Sequence, residues 1–118
     1  MKEYQEWSEK AKKDFAAAQY NIKGNHLDAG LFLLQQSVEK ALKAVYIKTH
    51  GRIIKIHDLL VLSREVHAPQ EIQSACKIIT PLYYQTRYPD SSNEDLYSAI
   101  NTFLAAAKEV IKWVETQL

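Results

Sequence analysis

The chain has 118 residues, 25% of them charged, and a formal net charge of +1. That length makes one domain, taken as residues 1–118, with enough chain for a real core. A balance so near zero excludes a general pull toward nucleic acid or membrane, so any nucleotide site must be a local cluster.

The first predicted element is a helix from about residue 3 to residue 22. Tyr4, Trp7, Ala11, Phe15, Ala18 and Ile22 recur every three to four residues and form its apolar stripe. Lys10, Lys12, Lys13 and Glu9 sit mostly on the outer side. Asp14 lies beside the stripe; it is expected as a surface carboxylate, the alternative being a partner for a base inside the bundle. Gly24-Asn25 ends the helix, because both residues accept the left-handed conformation of a helix C-terminus. A short connection then makes the first two helices antiparallel neighbours.

Helix 2 is predicted from about Asp28 to Thr49 and stops at Gly51. Leu31, Leu34, Val38, Ala41, Leu42 and Val45 fall on one face. The first half carries a second apolar set, Ala29, Phe32 and Leu33, as the central helix of a bundle does. In the second half that face becomes Gln36, Lys40 and Lys43, with Glu39 at its edge. This polar stripe faces either solvent or a site. Glu39 and Lys43 also have the i,i+4 order that stabilises a helix by roughly 0.2–0.5 kcal/mol.

Arg52-Ile53-Ile54-Lys55-Ile56 is too short and too basic for a strand and is predicted as a packed loop. A short helix 3 follows over His57–Val66, with Asp58 favouring its positive first turn. His57 can cap, pack, or present a ring nitrogen to a ligand. Pro69 suits the first turn of helix 4, whose stripe is Ile72, Cys76 and Ile79 with Ala75 and Ile78 beside them. Pro81 predicts a kink near Ile78 to Thr80, with helix resuming or turning through Leu82-Tyr83-Tyr84. Ser91 and Glu94 match a capping box for helix 5, predicted from about Asn93 to Thr116. The expected fold is therefore all-α: an up-and-down bundle of about five helices, three long, one short and one kinked.

Cys76 is the single cysteine, which excludes a disulfide framework and a Cys-based zinc site. No cofactor is expected. The N-terminal residues hold no apolar run fit for a signal peptide, and no stretch approaches a membrane span, so the expected location is the cytoplasm.

Three signatures stand in order: Gln36-Ser37-Val38-Glu39-Lys40-Ala41-Leu42-Lys43 on helix 2, His57-Asp58-Leu59 at helix 3, and Arg87-Tyr88-Pro89-Asp90 before helix 5. Together with Trp7 and Asp14 on helix 1 they resemble the HEPN family (higher eukaryotes and prokaryotes nucleotide-binding domain) over essentially the whole chain. The resemblance implies an all-α bundle, usually a homodimer. Small prokaryotic members are often encoded beside a minimal nucleotidyltransferase, in pairs that behave as toxin–antitoxin modules.

The resemblance implies one of two functional kinds. One cleaves RNA without a metal, using an Arg and a His four to six residues apart. The His handles a proton on the ribose hydroxyl and the Arg neutralises the phosphate. The other lacks a working pair and serves as a nucleotide- or substrate-binding partner subunit. Arg52 and His57 have the nuclease spacing but sit between helices 2 and 3, whereas the family's motif is expected later in the chain. Arg87 lies nearer that region, and no His follows it.

The leading expectation is thus the non-catalytic partner subunit of a minimal nucleotidyltransferase. Its binding residues are Arg87, Asp90, Lys40, Lys43, Tyr88, His57 and Asp58. Arg87 can clamp a phosphate or pair with Asp90 or Asp14, and it is expected in a groove near the ends of helices 2 and 5. Tyr83, Tyr84 and Tyr88 either stack on a base or fill the bundle end. The first alternative is a ribonuclease toxin using Arg52 and His57; the second is a helical homodimer with a purely structural role.

Overall fold

The computed structural model describes residues 2–81 and 93–118, with side chains over 3–81 and 99–118. Five helices occur among the described residues: α1 (Lys2–Lys23), α2 (Leu27–His50), α3 (Leu59–Glu65), α4 (Gln70–Ile79) and α5 (Asn93–Gln117). No strand is found among the described residues. The all-α bundle with three long helices follows the apolar periodicity. α1 packs along α2, α5 packs on both α2 and α4, and α3 bridges α2 and α4.

Every residue of α2 from Ala41 to Ile47 is buried, as a central helix requires. Leu31, Leu34, Val38, Leu42 and Ile47 are fully enclosed there. α1 approaches so closely that a Cβ on Gly30 would stand 2.7 Å from Ile22 Cγ1 and 3.1 Å from the Ala18 carbonyl oxygen. A glycine is what lets the two backbones meet at that point.

The helix ends follow from local hydrogen bonds. After α1 it is Asn25, not Gly24, that takes the left-handed conformation, at φ 65°. The His26 N–H then donates to the Asn21 carbonyl at 2.8 Å and the Asn25 N–H to Ile22 at 3.1 Å, closing a Schellman turn. Gly51 ends α2 in the left-handed region and donates to the Ile47 carbonyl at 2.7 Å. α3 starts two residues later than the periodicity suggests, because Asp58 is its N-cap: the carboxylate accepts from the Leu60 N–H at 2.9 Å and the Val61 N–H at 3.2 Å.

α4 buries Ile72, Ala75, Cys76 and Ile79, whereas Ile78, expected in the stripe, is 41% exposed. α4 ends at Ile79 with Thr80 as its C-cap, so Pro81 follows the helix instead of kinking it within the described residues. The predicted continuation through Leu82-Tyr83-Tyr84 and the capping box of Ser91 and Glu94 lie outside the described residues. α5 buries Ala106, Ala107, Val110 and Val114, which recur at three to four residues along one face. Burial pushes the Cys76 thiol up to about 12, an effect that Asp58 adds to and a hydrogen bond with Ser63 offsets in part.

Candidate functional site

Helical spacing places Gln35, Glu39 and Lys43 in one line on α2. All three are buried. Glu39 is the centre of the line: its Oε1 accepts from Gln35 Nε2 at 3.1 Å and its Oε2 accepts from Lys43 Nζ at 3.0 Å. The same Oε2 lies 2.9 Å from His57 Nδ1, which reaches in from the residue before the α3 cap. Gln36 Nε2 donates to Gln35 Oε1 at 2.7 Å and extends the chain of contacts. Trp7 of α1 closes the assembly, with Lys43 Nζ 5.8 Å from its ring centroid.

A second ionic cluster joins α1 to α2. Asp14, expected on the surface, is only 4% exposed. Its Oδ2 accepts from Lys40 Nζ, and its Oδ1 lies 3.3 Å from Lys10 Nζ. The reason is the short turn between the helices, which brings Lys40 across to the flank of the α1 stripe. Glu6, Trp7, Lys10 and Lys40 line an open groove of about 200 Å³ over this cluster. The stripe read as solvated or functional therefore splits. Lys43 lies inside on Glu39, while Lys40 spans to Asp14 at the groove's edge.

The connection between α2 and α3 carries the remaining candidates. His50 stacks on Tyr46 with ring centroids 4.0 Å apart and 15° between the planes. Arg52 Nη2 donates to the Tyr46 hydroxyl at 3.4 Å. Arg52 and His57 are thus engaged by different neighbours, one at the end of α2 and the other at Glu39. Asp58 is engaged in the α3 cap. Ile54 and Ile56 pack against the core, which holds the connection as the packed loop its composition suggests.

Arg87, Tyr88 and Asp90, with Tyr83 and Tyr84, lie outside the described residues, so the expected groove around Arg87 is not described. Among the described residues, no three of His, Cys, Asp and Glu gather as metal ligands do. No buried side-chain nitrogen or oxygen among those residues lacks a hydrogen-bond partner. The residues missing from the sequence reading are Gln35 and Trp7 as walls of the Glu39 cluster; Asp14 follows the alternative given for it, a carboxylate paired with a base inside the bundle. The i,i+4 repeat of Gln35, Glu39 and Lys43 was the available signal for the first.

No helix among the described residues is long and apolar enough to cross a membrane. The sequence pattern of the HEPN domain matches residues 4–117. The fold is similar to that of TT1696 from Thermus thermophilus, with a TM-score of 0.83 and 25% identity over 100% of both chains. It is also similar to ST0689, an archaeal HEPN homologue, with a TM-score of 0.79 and 23% identity over 99% of this chain and 98% of that one. No curated protein matches the chain.

Proposed function

The chain belongs to the HEPN domain family, and from that premise we propose that it is a non-catalytic binding subunit of a minimal nucleotidyltransferase. In this reading it binds the enzyme, its nucleotide or its substrate, in a cytoplasmic toxin–antitoxin-like pair. It does so as a homodimer formed through the long helices, whose apolar stripes are extensive for so short a chain.

One observation supports the non-catalytic part of the reading. The Arg and His at nuclease spacing point to separate neighbours, Arg52 to Tyr46 and His57 to Glu39. A pair that cleaves RNA has to converge on one phosphodiester, with the base at the hydroxyl and the guanidinium at the phosphate. A packed loop anchored at Ile54 and Ile56 resists the rearrangement that would bring them together. Binding chemistry needs no such convergence.

A metal-independent ribonuclease is the second reading, and the hold of Glu39 on His57 Nδ1 favours it. A carboxylate on one ring nitrogen orients the other, and the His57 side chain is 60% exposed.

A minimal nucleotidyltransferase gene is expected beside this one, and co-expression with its product tests the proposal. The expected result is a stable complex whose mass by light scattering includes two copies of this chain. The purified chain is expected to leave RNA intact. Failure to co-purify overturns the subunit reading. RNA cleavage that disappears in a folded His57→Ala variant installs the ribonuclease in its place.

A further inference from the structure

We propose that the α2–α3 connection is a docking edge for an acidic protein surface, with Ile53 as its apolar anchor and Arg52 and Lys55 as its charged rim. The inference rests on the binding-subunit reading only for the identity of the partner.

The charge is local. From Ala44 to His57 the chain carries Lys48, Arg52, Lys55 and two histidines, with no Asp or Glu. The nearest carboxylates in sequence do not neutralise this stretch at the surface. Glu39 is buried on Lys43 and His57, and Asp58 faces the first turn of α3. Lys48 turns away, donating at 3.0 Å to the carbonyls of Gln117 and Leu118. Arg52 and Lys55 are left as exposed cations on a protein whose overall balance is close to neutral.

Between them stands Ile53, 46% exposed and one of three large hydrophobic residues exposed among the described ones. Exposure alternates along the loop because Ile54 and Ile56 turn inward onto the core, leaving Ile53 and Lys55 outside. The loop is also held at both ends, by left-handed Gly51 and by the Asp58 cap. A segment ordered before contact loses less conformational freedom on binding.

The chemistry selects a protein over a nucleic acid. An apolar anchor inside a polar rim is the anatomy of a protein interface, and complementary rim charges accelerate encounter. Sites that hold single-stranded nucleic acid combine a basic groove with exposed aromatic faces on which bases stack. Here Tyr46 is buried and one face of His50 is already covered by it. The phosphate backbone offers nothing for Ile53.

The test places a photo-crosslinking amino acid at position 53 of the full chain, expressed in the cell that makes it. One dominant protein adduct is expected, joined at an apolar site flanked by Asp and Glu. Arg52→Glu with Lys55→Glu should reduce it roughly tenfold, as for loss of complementary charge, while Lys77→Glu, at an exposed position of α4, leaves it unchanged. If circular dichroism shows the reversed pair to be unfolded, Arg52→Gln with Lys55→Gln takes its place, with a smaller reduction expected. An RNA adduct, a non-acidic contact site, no adduct, or equal loss in Lys77→Glu overturns the inference. An acidic partner that is not a nucleotidyltransferase leaves this inference standing and overturns the subunit reading. A nucleotidyltransferase complex that does not cross-link at position 53 does the reverse.

Discussion

The two sides of α2 are built on different physics. Toward α1 and the start of α3, ionic contacts are set into the apolar packing: Asp14 with Lys40, and Glu39 with Lys43 and His57, beside the enclosed Ala11 and Ala18. On the α3–α4–α5 side the bundle is apolar, with Leu59, Leu62, Ile72, Ala75, Cys76, Ile79, Ala107 and Val110 enclosed. The buried charged residues among those described, Asp14, Glu39 and Lys43, all belong to α1 and α2. Apolar burial stabilises by area and tolerates small changes of register. A buried ion pair adds little net stability, yet it penalises every arrangement that separates its members. Apolar burial accounts for adhesion on both sides, and the Asp14–Lys40 pair, which joins the two helices, fixes which turn of α1 meets which turn of α2.

That contrast breaks most visibly at Lys43. Lys43→Ala leaves the Glu39 carboxylate enclosed without its lysine, and the expected loss is about 3–5 kcal/mol in urea unfolding. Replacing Glu39 and Lys43 together by Leu and Met should recover most of that loss, because removing both partners avoids the orphaned charge. If the double variant is no more stable than Lys43→Ala, the ionic side adheres by its pair and the contrast fails.

The apolar side answers differently. Ile79→Ala should cost about 3 kcal/mol, as transfer and cavity terms combine. No second substitution on the ionic side is expected to offset it. A loss below about 1 kcal/mol would mean that this side collapses around the gap.

The smallest effect at neutral pH belongs to Cys76. Its thiol is pushed up to about 12 from an ordinary value of 9.0, so it is raised in the folded state. The sign follows: the stabilisation is complete below pH 9, where the thiol is protonated in both states, and is lost as pH rises toward 12. At neutral pH, iodoacetamide should modify Cys76 only through the small population of unfolded chain. Rapid modification of the native protein would show that the apolar side opens locally.

The sequence carries these two sides unequally. Helix number and order were legible because they rest on apolar periodicity, and the end of α2 because Gly51 terminates it, whereas the start of α3 and the end of α4 were set by local capping. The Gly24-Asn25 stop was legible as a pair, although which residue turns left-handed depends on how the chain enters α2. The left-handed His67, at φ 56°, had no signal of that kind. Asp14 was misread because a helical wheel for α1 places it on the flank and cannot show that Lys40 arrives there from α2. Ile78 was misread for a related reason: position on a stripe is set by one helix, but exposure by whether a neighbour covers it. For the site, the i,i+4 line of Gln35, Glu39 and Lys43 was visible, while its enclosure by Trp7 and His57 required tertiary placement.

The glycine contact between α1 and α2 has a mechanical consequence. Gly30 sits near the turn that joins the two helices, and Glu39 lies nine residues further along α2, about 14 Å at the helical rise. The short turn and the Gly30 contact behave as a fulcrum, with α1 as the arm. A methyl group at position 30 displaces the arm where it is shortest, and the displacement grows toward Asp14 and Trp7. The ionic contacts tolerate such motion least, because hydrogen bonds weaken steeply with misalignment. The fineness with which Trp7 covers Lys43 is therefore set at a residue that touches neither.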